Sequence, residues 1–531
     1  MEAGVYRDLR PESNSRYDQL EHIQVADNYN PPINSLPTEI LLHIFNLARY
    51  LWWRVSVRRA KGAEDSTWDN GVQNLMSLPY PEVLSHVCSL WRQIVLSSPS
   101  LWSHIDIYTV GQSSQVPLSR SSAFLARAQG HELMLKCGPV ESSTPESFGH
   151  NAHHPSSDWT ATDFFCSAVG PRLKSLRVDN HAPDTTLFYS IFQGSLSHAR
   201  PGILADLTIA DKIPQTIRNP GDNSEGLAGW TLPPPEHFGM SQPLLDDIVQ
   251  SIRILRLDGH FFPWASPAYH GLVDLRLSTT RPKRGHRPFI QAAQLREILL
   301  ACPKLRALDF GIKINGQNSQ ATLSPVPLND LEVLNIRHLS LVLYEEFLPL
   351  LAPSGRPLKL MCQTRLKEEP TPYCPALLAF FQRSKVTRLY ITNRAYIDYH
   401  RYFPLEHLLI NSPTTLHTLG LERFNIIEHL PSRIEHLKAM SPIKLDCLCL
   451  RRCTIVTGVL QDVAIKLPAQ ILKLQAPEFK DTPDEAPIRE EIGSMFPTVK
   501  WVHLAMRAEK GNLGYMGYRL YKLLVTLLER N

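Results

Sequence analysis

The chain is short of most features that mark specialised protein classes. No run approaches the roughly 20 apolar residues that a membrane-spanning helix needs, so no helical membrane span is expected. An Asn-x-Ser/Thr acceptor for N-glycosylation is missing. Nine cysteines in 531 residues are odd in number and scattered, which argues for reduced thiols in the cytoplasm or nucleus rather than a disulfide framework. Residues 1–34 mix Glu2, Arg7, Asp8, Arg10 and Glu12 with no apolar core, so they read as a disordered or short helical segment and not as a secretory signal. Charge of one sign is scarce too: 55 Lys plus Arg against 51 Asp plus Glu leaves +4, which gives no reason to expect nucleic acid as a partner. The densest basic run, Arg281 to Arg287, reads as a solvated loop.

Recognisable catalytic patterns are also lacking. There is no Gly-x-x-x-x-Gly-Lys-Ser/Thr phosphate loop, no His-Glu-x-x-His zinc helix and no Gly-x-Ser-x-Gly nucleophile elbow. Gly511 to Gly517 reads as a turn, and His153-His154 as two exposed imidazoles in a polar loop. Cys447, Cys449 and Cys453 have the number for a zinc site. Alternation instead puts Cys447 and Cys449 on the outward face of a strand whose inward residues are Leu448 and Leu450. No catalytic residue, metal site or cofactor is therefore expected.

What the chain does have is apolar content of 43%, ordinary for a folded protein, over a length too great for one compact core. Several domains or a repetitive architecture follow. Two N-terminal segments carry helical periodicity. In the first, Pro37 suits the opening turn and Glu39 the positive end of the helix dipole. Ile40, Leu41, Ile44, Phe45 and Ala48 then gather on one stripe. In the second, Val83, Leu84, Val87, Cys88, Trp91, Ile94 and Val95 repeat the rule until Ser97-Ser98-Pro99 stops it, and Leu101-Trp102 follows. Two short helices cannot bury faces this wide alone, although periodicity by itself is equally compatible with two core helices of a larger α domain.

The ordered occurrence of Leu36-Pro37-x-Glu39-Ile40-Leu41-x-x-Ile44-Phe45, Val87-Cys88-x-x-Trp91-Arg92-x-Ile94 and Pro99-x-Leu101-Trp102 resembles the F-box, in the version common in F-box-like proteins of mushroom-type fungi. The resemblance implies a three-helix unit over residues 35–108 that docks on the Skp-type adaptor of a cullin-based ubiquitin ligase. It also implies that Leu36, Pro37, Ile40, Leu41, Ile44, Phe45, Val87, Cys88, Trp91, Leu101 and Trp102 form the docking surface or the small core beneath it. The family separates the two halves by about a dozen residues, whereas here residues 49–80 intervene. Their polar, Gly-containing middle reads as a surface insertion, since loop closure costs grow slowly with length.

Beyond residue 170 a pattern returns: apolar, two variable, apolar, one variable, apolar. It runs through Leu173–Val178, Leu204–Ile209, Ile252–Leu257, Leu272–Leu277, Leu305–Phe310, Leu331–Ile336, Val386–Ile391, Leu416–Leu421, Leu445–Leu450 and Val499–Leu504, with weaker copies at Leu358–Leu360 and Leu472–Leu474 and a competing one at Leu405–Ile410. Such self-similarity predicts stacked repeats, each ending in a short strand. Leu445-Asp-Cys-Leu-Cys-Leu-Arg-Arg-Cys-Thr-Ile455 resembles the leucine-rich repeat most fully, and the resemblance implies a buried structural place for Cys453. Central leucines from Leu308 to Leu472 step by 26, 24, 31, 30, 29 and 24 residues, several too short for the βαβ units of a competing layered α/β fold. Helical patterns at Gln294–Leu300 and Pro375–Phe381 precede strands, Gly221 to Pro243 reads as an inserted loop, and Tyr515 to Leu528 as a helix capping the open end.

The expected fold is thus α/β: a three-helix F-box followed over residues 109–531 by an irregular leucine-rich-repeat-like solenoid. The expected function is a non-catalytic substrate receptor of a ubiquitin ligase, with the adaptor, the cullin scaffold and an unidentified target protein as partners, and with neither nucleic acid nor membrane. The alternative is an interaction scaffold acting outside a ligase. The target-binding face is placed on the variable residue between the last two apolar positions of each repeat, the row Arg177, Thr208, Arg256, Arg276, Asp309, Asn335, Lys359, Tyr390, Gly420, Cys449, Lys473 and His503. Arg177, Arg256, Arg276, Asn335, Tyr390 and Lys473 are the candidates, and the row's basic surplus suits an acidic or phosphorylated segment. Asp179, Asp258 and Glu422 against Arg337 and Arg451 in the adjoining row partly cancel that surplus, and solvated strand positions would look the same.

Overall fold

The computed structural model describes residues 32–48, 80–109, 118–139, 159–180, 186–211, 232, 240–279, 288–315, 323–337, 341–364, 375–393, 413–426, 445–466, 469–475, 477–479 and 485–502. Most of the leading segment, the insertion over 49–79, the histidine pair, the basic run 281–287, the repeat copy at 405–410, the glycines of 511–517, His503 and the helix expected over 515–528 lie outside the described residues. The chain divides into two compact units, Met1–Arg172 and Leu173–Asn531. The first unit therefore runs past the boundary expected at residue 108.

In the first unit, helix α1 covers residues 38–48, and the Leu41 N–H bonds back to the Pro37 carbonyl at 3.0 Å. The single helix expected from Val83 onward is instead two, α2 (Glu82–Ser85) and α3 (Ser89–Ser97). Cys88 makes the break: its backbone is extended (φ −157°, ψ 173°), and its Sγ accepts the Trp91 N–H at 3.5 Å as an N-cap. A 3₁₀ turn, Pro99–Trp102, begins with Pro99 at a position where a missing N–H costs nothing. Strands β1 (His104–Thr109) and β2 (Leu133–Pro139) pair in parallel with α4 (Leu118–Arg127) between them, and α5 (Trp159–Val169) follows.

The second unit is a mixed α/β body built on a large parallel sheet. Its strands are β3 (Leu173–Asn180), β4 (Asp206–Asp211), β5 (Ile254–Asp258), β6 (Asp274–Ser278), β7 (Ala307–Gly311), β8 (Val333–Ile336), β9 (Leu358–Thr364), β10 (Val386–Asn393), β11 (Thr418–Glu422), β12 (Leu445–Arg451), β13 (Ala469–Gln475) and β14 (Thr498–Val502). From β4 on, each pairs with the preceding strand of this sheet, while short strands in the connections pair separately in three small sheets. The helical patterns read from sequence appear as Ala292–Leu300 and Pro375–Arg383 in the connections. The inward leucines align across the sheet: Leu176, Leu207, Leu255, Leu275, Leu308, Leu334, Leu360, Leu389, Leu419, Leu448 and Leu472 are all 1% exposed or less. Fully burying one such side chain contributes about 1.5–3 kcal/mol, so this layer supplies much of the sheet's stability. Phe310 of β7 extends the core by stacking on Phe347 with ring centroids 4.6 Å apart.

Register corrects two places in the expected central row. Asn335 pairs with Met361 and Met361 with Tyr390, so Met361 holds the place assigned to Lys359, which lies one outward row earlier between Val333 and Arg388. The cause is Cys362, which fills the third apolar position and makes Leu360 the central leucine; the steps on either side become 26 and 29 residues. Likewise Leu472 pairs with Val499, so Lys500 and not His503 continues the row from Lys473.

Candidate protein-interaction surfaces

The first surface belongs to the N-terminal helices and begins with how their core is closed. Leu41 and Phe45, one turn apart on α1, are each 1% exposed, and Phe45 meets Trp91 of α3 with ring centroids 4.7 Å apart. Trp91 Nε1 donates to Asn34 Oδ1 at 3.0 Å, and the Tyr80 hydroxyl donates to the Phe45 carbonyl. Leu84, Ile94, Val95, Leu101 and Trp102 complete the core. Trp102 Nε1 donates to the Val95 carbonyl at 2.8 Å, its ring meets Phe124 edge-on at 4.9 Å, and the Arg127 guanidinium lies 4.3 Å from its centroid.

The remaining motif residues are not in that core. Leu36 is 37% exposed, Ile40 47% and Val87 56%, Pro37 is exposed, and Ile44 and Cys88 are half-buried. Alpha-helix α1 thus has two apolar stripes: Leu41 and Phe45 pack inward, while Ile40, Ile44 and Leu47, spaced i, i+4 and i+7, lie on another face. Sequence reasoning missed Leu47 and Leu96, which are exposed as well. The spacing of Leu47 from Ile40 was the available signal.

The second surface is the outward face of the second unit's sheet. The central row is Arg177, Thr208, Arg256, Arg276, Asp309, Asn335, Met361, Tyr390, Gly420, Cys449, Lys473 and Lys500. Register thus brings all six candidate residues into one row. Their surroundings differ. Arg177 pairs with Asp179 at 2.8 Å, and Arg256 reaches Asp274 at 2.8 Å and Asp206 at 3.6 Å. Arg276 pairs with Asp274 at 2.9 Å, while Asp309 accepts from Asn335 at 3.0 Å and pairs with Arg337. Burial pushes the Asp274 carboxyl up, but hydrogen bonds and positive charge from Arg276 and Arg256 outweigh it and hold the group below the ordinary carboxylate range. Asp206 goes the other way, raised chiefly by burial. Sequence reasoning missed both aspartates because they stand one outward row before the row under scrutiny.

At the other end Tyr390 lies across Gly420: a Cβ on Gly420 would fall 2.3 Å from Tyr390 Cδ1. Lys359 Nζ sits 5.0 Å from the Tyr390 ring centroid. Cys447 and Cys449 have their sulfurs 3.5 Å apart, with Cys447 buried and Cys449 half-buried. Burial, and then the neighbouring Cys447, push the Cys449 thiol up to about 12, so it stays a neutral group. Cys453 is fully buried, its Sγ donating to the Leu421 carbonyl at 3.4 Å. Among the described residues there is no group of three metal-ligating side chains, and no helix is long and apolar enough to cross a membrane.

No protein-family model matches the chain, and no curated protein does. Among solved structures the chain is similar to a protein from Bacteroides fragilis, at 11% identity over 64% of this chain and 68% of the other, with a TM-score of 0.22. A likeness that loose carries no argument about fold or function.

Proposed function

We propose that the chain is the substrate receptor of a cullin-based ubiquitin ligase, with its N-terminal helices as an F-box on the Skp-type adaptor and its repeated strands as a leucine-rich-repeat-like solenoid that holds the target. One observation carries the reading: the motif residues separate into a closed core (Leu41, Phe45, Trp91, Leu101, Trp102) and an apolar set left facing solvent (Leu36, Ile40, Val87). Exposing large apolar side chains together with a buried set of the same motif is what a docking module needs and a mere core does not. The solenoid reading is supported by strands that add one by one in chain order with leucines in register. The receptor's contribution is proximity: it raises the effective concentration of a target at a partner enzyme and performs no covalent step itself. Such a role belongs in the cytoplasm or nucleus.

Titration of the full chain with a purified Skp-type adaptor tests this. Leu36→Asp, Ile40→Asp and Val87→Asp together should weaken binding by more than about tenfold, or 1.4 kcal/mol, while leaving the thermal transition in place. A folded wild-type chain that does not bind the adaptor overturns the proposal.

A further inference from the structure

The outward face of the second unit's sheet changes character midway. Over β3–β8 the arginines are held by carboxylates of the same sheet, Arg177 by Asp179, Arg256 by Asp206 and Asp274, Arg276 by Asp274 and Arg337 by Asp309. An anionic ligand arriving there must displace a formed, partly buried pair and leave a carboxylate uncompensated. Over β9–β14 that arrangement ends. Arg388 and Lys500 are exposed and Lys473 half-buried, and no described carboxylate pairs with any of them. The acidic residues of these strands are already engaged: Glu422 pairs with Arg451 at 3.5 Å and accepts from Thr392 at 3.2 Å, and Asp446 lies 3.5 Å from His417. Between the cations runs a neutral floor of Met361, Tyr390 lying across Gly420, and Cys449. The Lys359 ammonium lies 5.0 Å from the Tyr390 ring centroid and adds positive charge beside it.

We infer that the β9–β14 half of this face is where the target is held, and that it takes an extended peptide with an aromatic side chain set between acidic residues. The ring would pack on the Tyr390–Met361 floor, and the flanking carboxylates would meet Arg388, Lys473 and Lys500, the mode in which cation clusters read acidic motifs. The inference rests on the reading of the sheet as the target-holding surface and gives that surface its place and chemistry.

The test is fluorescence anisotropy of the full chain with a fluorescein-labelled heptapeptide of aspartate and glutamate around a central phenylalanine. No adaptor is present, so the outcome is separate from that of the docking titration. Binding should weaken between about 50 and 300 mM salt as the charges are screened. Lys473→Glu with Lys500→Glu should weaken it at least about tenfold, and Arg306→Gln by less than about twofold. Tyr390→Ala should weaken the phenylalanine peptide while leaving a glycine-centred peptide unchanged. Thermal melts of each variant confirm that it is folded. The inference is overturned by absence of binding, by equal affinity in the folded Lys473→Glu, Lys500→Glu chain, or by equal binding of a peptide with lysine in place of each acid. A poly(U) RNA that binds more than about tenfold tighter than the peptide overturns it too and reassigns the face to nucleic acid.

Discussion

Trp91 holds α1 to α3 through contacts of two kinds, its ring against Phe45 and its Nε1–H to Asn34. Trp91→Ala removes both and should cost about 3–5 kcal/mol, as large-to-small core changes do. Trp91→Phe keeps a ring and loses the hydrogen bond, and should cost nearer 1 kcal/mol plus the smaller ring's lost contact; chemical denaturation of the full chain ranks the two. If the alanine variant loses no more than the phenylalanine one, the ring is not what closes this core. Asp274 poses the electrostatic counterpart. Its folded carboxyl titrates below the ordinary range, because Arg276 and Arg256 outweigh the burial that raises it. The stability it contributes is therefore fully present above the unfolded carboxylate value of about 3.9 and is lost as pH falls through the lower folded value. Asp274→Asn should destabilise the second unit by about 1.5–3 kcal/mol at neutral pH. That difference from wild type should shrink on the acid side, which denaturant melts between neutral and acid pH will show; a difference that stays constant with pH would mean the carboxylate's charge is not what matters.

Elements were legible from sequence wherever a regular apolar period was uninterrupted, and misread where one residue broke it. The strand ending at Leu450 was readable because Leu445, Leu448 and Leu450 spell out the repeat; β9 was misplaced because Cys362 stands in its third apolar position, where a leucine would have marked the frame. The helix break at Cys88 was hidden for a related reason, since a cysteine fits an apolar stripe as well as it fits a cap. Gly420 reads from sequence as one more member of the outward row, yet it is what allows the Tyr390 ring to lie across the sheet. Gly420→Ala places a methyl group within reach of that ring and must turn it away. The expected outcome is little loss of folding stability, since the ring is half-exposed, together with loss of the aromatic preference in the peptide titration. Unaltered preference in Gly420→Ala would show that the ring's seat on Gly420 has no part in recognition.

For the molecule as a whole, composition limited the classes and the motif spacing supplied the functional idea, but which motif residues are buried and which are exposed is a three-dimensional property that periodicity cannot assign. Both stripes of α1 are apolar, and only the packing of Phe45 on Trp91 tells them apart. The charge pattern was equally hidden, because Asp206 and Asp274 neutralise arginines on neighbouring strands, a pairing set by register across roughly 20 to 50 residues of chain. In the large sheet each of β4–β13 bonds to the sheet strand before it and the one after it, so stability should be distributed as nearest-neighbour terms along the sheet instead of residing in one shared core. Leu389→Ala tests this in the middle of the array. Leu389 is fully buried, flanked by Leu360 and Leu419, and its truncation should cost about 2–5 kcal/mol locally. Hydrogen exchange on the folded variant should then show protection lost in β9–β11 and falling away with distance, while amides of β4–β5 keep their wild-type rates. Equal loss of protection in every strand from β3 to β14 would mean that the sheet opens as one cooperative body and that the repeats are not energetically separable.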